Sequence, residues 1–393
     1  MTSLLHVAER AAIPPFHVMD VLSAAAERQR THGDLVSLAA GQPSAGAPRP
    51  VREAAIRAIN DHPLGYTVQL GVPALREGIA GHYRRVYDLN VDASDVVVTT
   101  GSSGAFTCAF LSAFDVGDRV ALPNPGYPCY RNILSALGCE VVDLPCGQEN
   151  DYRPTVEMLE ALPEPVNGLV LAAPANPTGT LLNAAELEKL VSYCDERGIQ
   201  LISDEIYHGI TFDADAECAW RTSREAIVVN SFSKYFAMTG WRLGWMLVPR
   251  RLRRAVDCLV GNFAICAPTH SQLAAVAAFD EESYAEAEAH VEKYASNRAV
   301  LLDGLRDIGW KSIAPADGAF SSYVDISAYS DDSLAFSKRL LAETGVAVVP
   351  GVDFDATDGN RFVRLSFAGS REEIVEGVRR LGGWLADSGF VQG

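Results

Sequence analysis

Between residues 95 and 250 the chain alternates short, uninterrupted apolar runs with stretches of helical spacing. The runs read DVVVTT (95–100), RVALP (119–123), CEVVDLP (139–145), GLVLAAP (168–174), IQLISDE (199–205), AIVVNS (226–231) and RLGWMLVP (242–249). A strand with one wet face alternates apolar and polar positions, whereas several of these runs are apolar throughout, as in a strand covered on both faces. Such runs separated by helical patterns predict an α/β fold: a mainly parallel seven-stranded sheet with helices on both faces. One of those helices is delimited by AAELEKLVSYCDERG (184–198), with apolar residues at helical spacing and a terminal Gly198. Another opens at the small residues of GSSGAFTCAF (101–110), directly after the first run.

The pattern changes after EESYAEAEAHVEKYASNRAVLLDGLRDIG (281–309), which reads as one long helix. Beyond it come AFSSYVDIS, a helix around 333–343, VAVVPG and FVRLSF, the makings of a smaller α+β unit. Proline-rich residues 43–50 suggest that the early chain joins that unit. The expected division is a large domain over 46–284, with 1–45 and 285–393 forming an N-terminal arm and a small domain.

Composition narrows the partners. A formal net charge of −17 repels phosphate backbones and anionic lipid, so nucleic acid and membrane surfaces are disfavoured. An anionic substrate would need a local cluster of Arg and Lys. None of the eight cysteines is in C-x-x-C spacing, which predicts reduced, mostly buried thiols and no zinc site. The N-terminal MTSLLHVAERAAIPPF carries Glu9 and Pro14-Pro15 where a signal peptide needs an unbroken apolar core. No window approaches the roughly 18 apolar residues of a membrane span. The expected location is the cytoplasm.

Open parallel sheets bind ligands beyond the carboxyl ends of their strands. After the first run, the small residues of 101–110 open a helix whose free N–H groups suit a phosphate, with a plain Gly/Ser loop as the alternative, and the spacing is neither G-x-G-x-x-G nor a P-loop. After the fourth comes the tight turn ANPTG (175–179), which can aim the Asn176 amide into a cleft. LISDEIYHG (201–209) ends an apolar strand in Asp204, a carboxylate that must find a partner, with a structural ion pair as the plain alternative; Tyr207 follows three residues later. VVNSFSKYFAMTGWRLGW (228–245) then supplies Ser231, Lys234 and Arg242. A phosphate cradle, a carboxylate, an amide, a phenol and a lysine at successive strand ends form the set that pyridoxal 5'-phosphate requires. The lysine amine forms a Schiff base, and the carboxylate keeps the pyridine nitrogen protonated so that the ring draws electrons.

Over essentially the whole chain after residue 13, the ordered motifs NPTG, SDEIY, SFSKYFAMTGWRLGW and FVRLSF resemble the class I and II aminotransferases of the aspartate aminotransferase fold, fold type I of the pyridoxal-phosphate enzymes. The resemblance implies that Lys234 joins the cofactor and shuttles a proton, that Asp204 pairs with the ring nitrogen, and that Asn176 and Tyr207 bond its phenolic oxygen. Tyr127, in NPGYPCY, would stack on the ring; Ser103, Gly104, Ser231 and Arg242 would hold its phosphate. Tyr66 would reach the phosphate in a partner subunit, which implies a homodimer with shared active sites. Arg364, with Asn176 and Gly41 nearby, would grip the substrate α-carboxylate as a bidentate fork; a surface salt bridge is the alternative for this arginine. One departure is visible at GQPSAGAPRP, where many relatives carry an acidic residue and an aromatic after G-x-P.

The finer run IPPFHVMDVLSAAAERQRTHGDLV, with GYPCYRNILSALGCEVV, is similar to an actinobacterial subgroup described as valine–pyruvate (alanine–valine) or aspartate aminotransferases. Segments 12–16, 66–70 and 261–270 are expected to line the side-chain pocket with Ile13, Phe16, Val68, Phe263 and Ile265, with His270 as the only cationic candidate. A dicarboxylate substrate needs a second cation, so this pocket favours an aliphatic or aromatic side chain, and such pockets discriminate weakly. The expected activity is amino transfer between an L-amino acid and a 2-oxo acid, in ping-pong fashion through pyridoxamine phosphate. The valine–pyruvate type leads, ahead of an aspartate or aromatic aminotransferase. A β-lyase or decarboxylase on the same fold is more distant, and the absence of a basic segment disfavours a DNA-binding regulator.

Overall fold

A computed structural model of the chain describes residues 7–387. The first residues of the expected N-terminal arm and leader reading (1–6), and the end of the expected small domain (388–393), lie outside the described residues.

All seven apolar runs are strands of one sheet. Their order across it is Val96–Thr99, Gly244–Leu247, Ile227–Ser231, Gln200–Asp204, Gly168–Ala172, Arg119–Asn124 and Glu140–Pro145. Neighbours from Ile227–Ser231 onward are parallel, and Gly244–Leu247 runs antiparallel to the strands on either side of it. The unbroken apolar runs are explained by what covers them. Alternate residues of each strand enter two separate cores: Val97, Val170, Ile202 and Val229 pack with Phe106, Phe110 and Val256, whereas Val96, Val98, Leu201 and Val228 pack with Ile79, Tyr83 and Leu190. The first core is roofed by helices Gly101–Ala113, Pro128–Leu137 and Arg253–Phe263, the second by Pro73–Tyr87 and Ala184–Arg197. Both faces are dry, so neither face needs polar positions.

The helix over 184–198 forms as Ala184–Arg197, and its ends follow from the sequence. Asn183 Oδ1 accepts from the Glu186 N–H at 3.0 Å while Glu186 Oε2 accepts from the Asn183 N–H at 2.9 Å, and Gly198 closes the helix at φ 67°.

The long helix spans Glu281–Asp307. After it, Ser321–Asp325, Phe362–Ser366 and Val349–Pro350 make a three-stranded antiparallel sheet, with helices Ser333–Thr344 and Arg371–Asp387 beside it. The early chain enters this region: Val36–Ser37 pairs in parallel with Val346–Ala347. Helix His17–His32 packs there too, through Val18 and Ala25 against Tyr323, Leu341 and Phe354. Each of the eight cysteines is a free thiol, five of them buried. Among the described residues no helix is long and apolar enough to cross a membrane.

Candidate active site

Sheet register decides where the polar groups meet. Asp204, last residue of its strand, sits opposite Ala172 on one side and Val229 on the other. The chain leaving Ala172 reaches Asn176 four residues on, and the chain leaving Ser231 reaches Lys234. Ser231 lies opposite Gly244, which lies opposite Thr99, the residue that leads into helix Gly101–Ala113. These ends open into a cavity of about 690 Å³, lined by ten of the expected residues: Phe16, Gly41, Ser103, Tyr127, Asn176, Asp204, Tyr207, Lys234, Arg242 and Arg364.

Asp204 is buried, and its contacts are neutral donors: the Ile206 N–H to Oδ1 at 3.0 Å and the Tyr130 hydroxyl to Oδ2. No ion pair involving it forms among the described residues, so the structural salt-bridge alternative falls away. Burial pushes its pKa up to about 6, against the two hydrogen bonds and the nearby charge of Lys234, which favour the carboxylate.

Lys234 reaches into the cavity and donates from Nζ to the Gly41 carbonyl at 2.6 Å, with the Tyr207 and Phe320 rings 5.5 and 5.6 Å away. Burial lowers its pKa to about 8; the charges of Arg364 and Arg242 push the same way and Asp204 opposes them. The chain has five lysines, and Lys189, Lys293, Lys311 and Lys338 are all exposed. Lys234 alone is partly buried.

Arg364 comes from the central strand of the three-stranded sheet and is only 4% exposed. Nη1 donates to Asn176 Oδ1 at 3.0 Å, Nη2 to the Ala39 carbonyl at 3.2 Å, and the guanidinium lies 4.9 Å over the Phe354 ring. Its Nε is buried without a partner. A buried guanidinium whose hydrogen-bond partners are neutral, with a free donor and the Asp353 carboxylate near but not paired to it, is a receptor for an anion, not a surface salt bridge. Because Asn176 Oδ1 is committed to Arg364, its amide nitrogen is left to donate elsewhere. Tyr207 is buried, which drives its pKa up to about 12, so the phenol stays a donor.

The opposite end of the cavity is built for a second anion. Helix Gly101–Ala113 starts without a side-chain cap, leaving its first N–H groups free. Arg242 adopts φ 52°, donates from Nη1 to the Thr239 carbonyl at 3.0 Å, and lies against Gly101. A Cβ at Gly101 would stand 2.6 Å from Arg242 Nη2, and Gly101 itself has φ 68°, so only glycine leaves this cradle open.

Several expectations are corrected. The Ser231 hydroxyl is buried against the Leu243 carbonyl at 3.0 Å and accepts from the Ser233 N–H at 3.1 Å, so Ser233 and Thr239, rather than Ser231, face the cavity. Gly104 lies a turn inside the helix and does not line the cavity. Val68, Phe263, Ile265 and Ile13 are exposed and outside this chain's cavity; Tyr66 is exposed too, which its expected place in a partner's site allows. His270 borders a separate shallow groove. The apolar wall comes instead from the N-terminal helix, through Val18, Met19 and Leu22 next to Phe16. Tyr127 meets Phe16 edge-on at 6.2 Å and Tyr130 at 5.4 Å.

Tyr130 was missed by the sequence reading. Only the second tyrosine of YPCY hints at it, and its partner Asp204 lies 74 positions away.

The residues present fit pyridoxal phosphate by the chemistry of the set. Helix N–H groups and Arg242 suit a phosphate, the unpaired donor of Arg364 suits a carboxylate, and a shielded amine and a buried acid stand between them.

Comparison with known proteins agrees. The family model described as aminotransferase class I and II matches residues 33–381. The chain is 60% identical over 381 residues to the valine–pyruvate aminotransferase of Mycobacterium tuberculosis, covering 96% of this chain and 98% of that protein. A crystal structure of an aminotransferase from the same organism superposes with a TM-score of 0.96 at 59% identity, covering 98% of this chain and 100% of that one. The aspartate aminotransferase of Thermus thermophilus, solved with maleate, superposes with a TM-score of 0.92 at 33% identity, covering 97% and 100%.

Proposed function

This chain belongs to the class I and II aminotransferases, which use pyridoxal 5'-phosphate, and from that premise we propose that it transfers the amino group between small apolar L-amino acids and 2-oxo acids, as a valine–pyruvate aminotransferase does. One observation carries the substrate reading. The cavity's cations are Lys234, Arg242 and Arg364, each already needed for amine, phosphate or α-carboxylate, while the remaining wall offers Phe16, Val18, Met19 and Leu22. A second substrate carboxylate would find no counter-charge there. The 60% identity to the mycobacterial enzyme supports the same reading.

Bound in this cavity, pyridoxal 5'-phosphate supplies the electron sink for the pair left on the amino acid's Cα when its proton departs. The chain's residues do the rest. Arg364 holds the α-carboxylate by its fork, with Gly41 and Asn176 alongside. Lys234, with a pKa near 8, is free amine in roughly one molecule in ten at neutral pH, against about one in three thousand for an ordinary lysine. That amine would hold the cofactor when it is bound, and it can take the Cα proton and return one in the reverse sense. Asp204, held in place by Tyr130, would oppose the positive ring nitrogen, Asn176 and Tyr207 would donate to the ring oxygen, and Tyr127 would cover the ring. Ser103, Ser233, Thr239 and Arg242 would hold the phosphate.

The exposed Tyr66, Val68, Phe263 and Ile265 support a homodimer in which Tyr66 completes the partner's site. The proposal places the enzyme in the cytoplasm and keeps the division of 46–284 from the remainder.

The test is the rate of the first half-reaction, without oxo acid, for valine, alanine, aspartate and phenylalanine. Valine and alanine should convert the bound cofactor to a stable aminated form, with aspartate far slower. Fast aspartate conversion would overturn the substrate reading, and continuous pyruvate release from an added donor with a β leaving group, such as cysteine, would point to a lyase.

A further inference from the structure

Helix His17–His32 carries the apolar wall of the cavity, yet it starts without a cap of its own. Phe16 occupies the N-cap position and makes no side-chain hydrogen bond. The missing acceptor comes from across the chain: Asp353 Oδ1 accepts from the His17 N–H at 2.8 Å and Oδ2 from the Val18 N–H at 2.6 Å. One buried carboxylate therefore takes two orphan donors and meets the positive end of the helix dipole.

The turn that bears Asp353 touches the rest of the site as well. Its next residue, Phe354, lies under the Arg364 guanidinium, and the Phe354 carbonyl accepts from the Gly126 N–H at 2.9 Å, beside Tyr127. A single short segment thus fixes the carboxylate grip, the ring cover and the start of the helix that presents Phe16, Met19 and Leu22.

We propose that Asp353 is a positioning residue for side-chain specificity: by capping helix His17–His32 it holds Phe16, Met19 and Leu22 against the substrate side chain. Asp353 does not line the cavity, so its effect through the helix grows with the donor side chain; the loss of its charge near Arg364 reaches every donor alike and is kept in Asp353→Asn, which separates the two. The inference rests on the apolar-pocket reading above, but it is scored on a trend across donors rather than on which donor is preferred.

The experiment uses the holoenzyme and its Asp353→Ala and Asp353→Asn variants, with alanine, 2-aminobutyrate, valine and leucine as donors. Loss of a helix cap should lower kcat/KM for valine and leucine roughly tenfold and for alanine less than about twofold, with kcat at saturation nearly constant. Asp353→Asn keeps one acceptor and the shape, and should recover most of the loss while preserving its gradation. Amide hydrogen exchange at His17 and Val18 should accelerate in the alanine variant, an effect that general loosening elsewhere would not produce. Equal loss for all four donors, unchanged kinetics, or unchanged exchange at these amides would overturn the proposal. Should Asp353→Ala fail to fold, the gradation in Asp353→Asn decides alone, and a flat profile counts against it. A wild-type preference for aspartate would sink the substrate reading while leaving this trend to be read.

Discussion

Replacing Tyr130 by Phe removes one oxygen from beside Asp204 and leaves the packing of the ring in place, since Tyr130 is buried edge-on against Phe106 at 5.0 Å and Tyr127 at 5.4 Å. Asp204 is then stabilised as a carboxylate only by the Ile206 N–H and the charge of Lys234, with the desolvation that holds it at about 6 unopposed by the phenol. A hydrogen bond to a charged group contributes about 1.5–3 kcal/mol. At about 1.4 kcal/mol per unit, the variant's Asp204 should titrate roughly one to two units higher, near pH 7–8. The sign follows: a carboxylate opposes the positive ring nitrogen and a protonated acid does not, so cofactor affinity is lost as pH falls through the pKa of Asp204. Wild-type protein should lose affinity as pH falls through about 6, and Tyr130→Phe one to two units earlier. The assay is a titration of cofactor-free protein with pyridoxal phosphate, followed by absorbance from about pH 5 to about pH 9, with kcat measured alongside. Lys234 loses the opposing charge of Asp204 once that acid is protonated, so its own step moves down in pH, and an upward shift of the acid limb belongs to Asp204. Coincident curves would refute the reasoning and leave Tyr130 a packing residue.

Other expectations follow from Arg364 and Lys234. Arg364→Lys exchanges a fork for a point charge and should raise KM roughly 10- to 100-fold for every amino donor alike; a change confined to one donor would show that Arg364 meets the side chain and not the α-carboxylate. In cofactor-free protein, an amine-reactive aryl reagent should modify Lys234 at a rate that rises through about pH 8, and a rate still rising well above that pH would contradict the desolvated site. The linked stability change has a definite sign. With its folded pKa below the unfolded value, Lys234 binds fewer protons than in the unfolded chain between the two, so cofactor-free protein gains stability as pH rises through that window.

The sheet was legible because burial on both faces writes itself into the sequence as unbroken apolar runs, and every one of the seven became a strand. Residues at strand ends were legible for a related reason: register fixes where a strand stops, and Asp204, Asn176 and Lys234 each lie within a few positions of such an end. What failed depended on contacts between distant segments. Ser231 and Ser233 differ by two positions in a tight loop, and only the path of the chain past Leu243 decides which hydroxyl faces the cavity. Tyr130 and Asp353 act through partners 74 and 335 or more positions away, which no local pattern encodes. Of the expected pocket wall, Phe16 lines the cavity whereas Ile13 and the two loops do not, and helix His17–His32 adds Met19 and Leu22, exposed enough to read as surface positions.

The central claim is that Lys234 is the residue joined to pyridoxal phosphate. Borohydride reduction of the holoenzyme fixes the cofactor to whichever lysine carries it, and peptide mapping by mass spectrometry then reads the position. The label should fall on Lys234 alone, within the peptide SFSKYFAMTGWR. A label on Lys189, Lys293, Lys311 or Lys338, or none on Lys234, would contradict it.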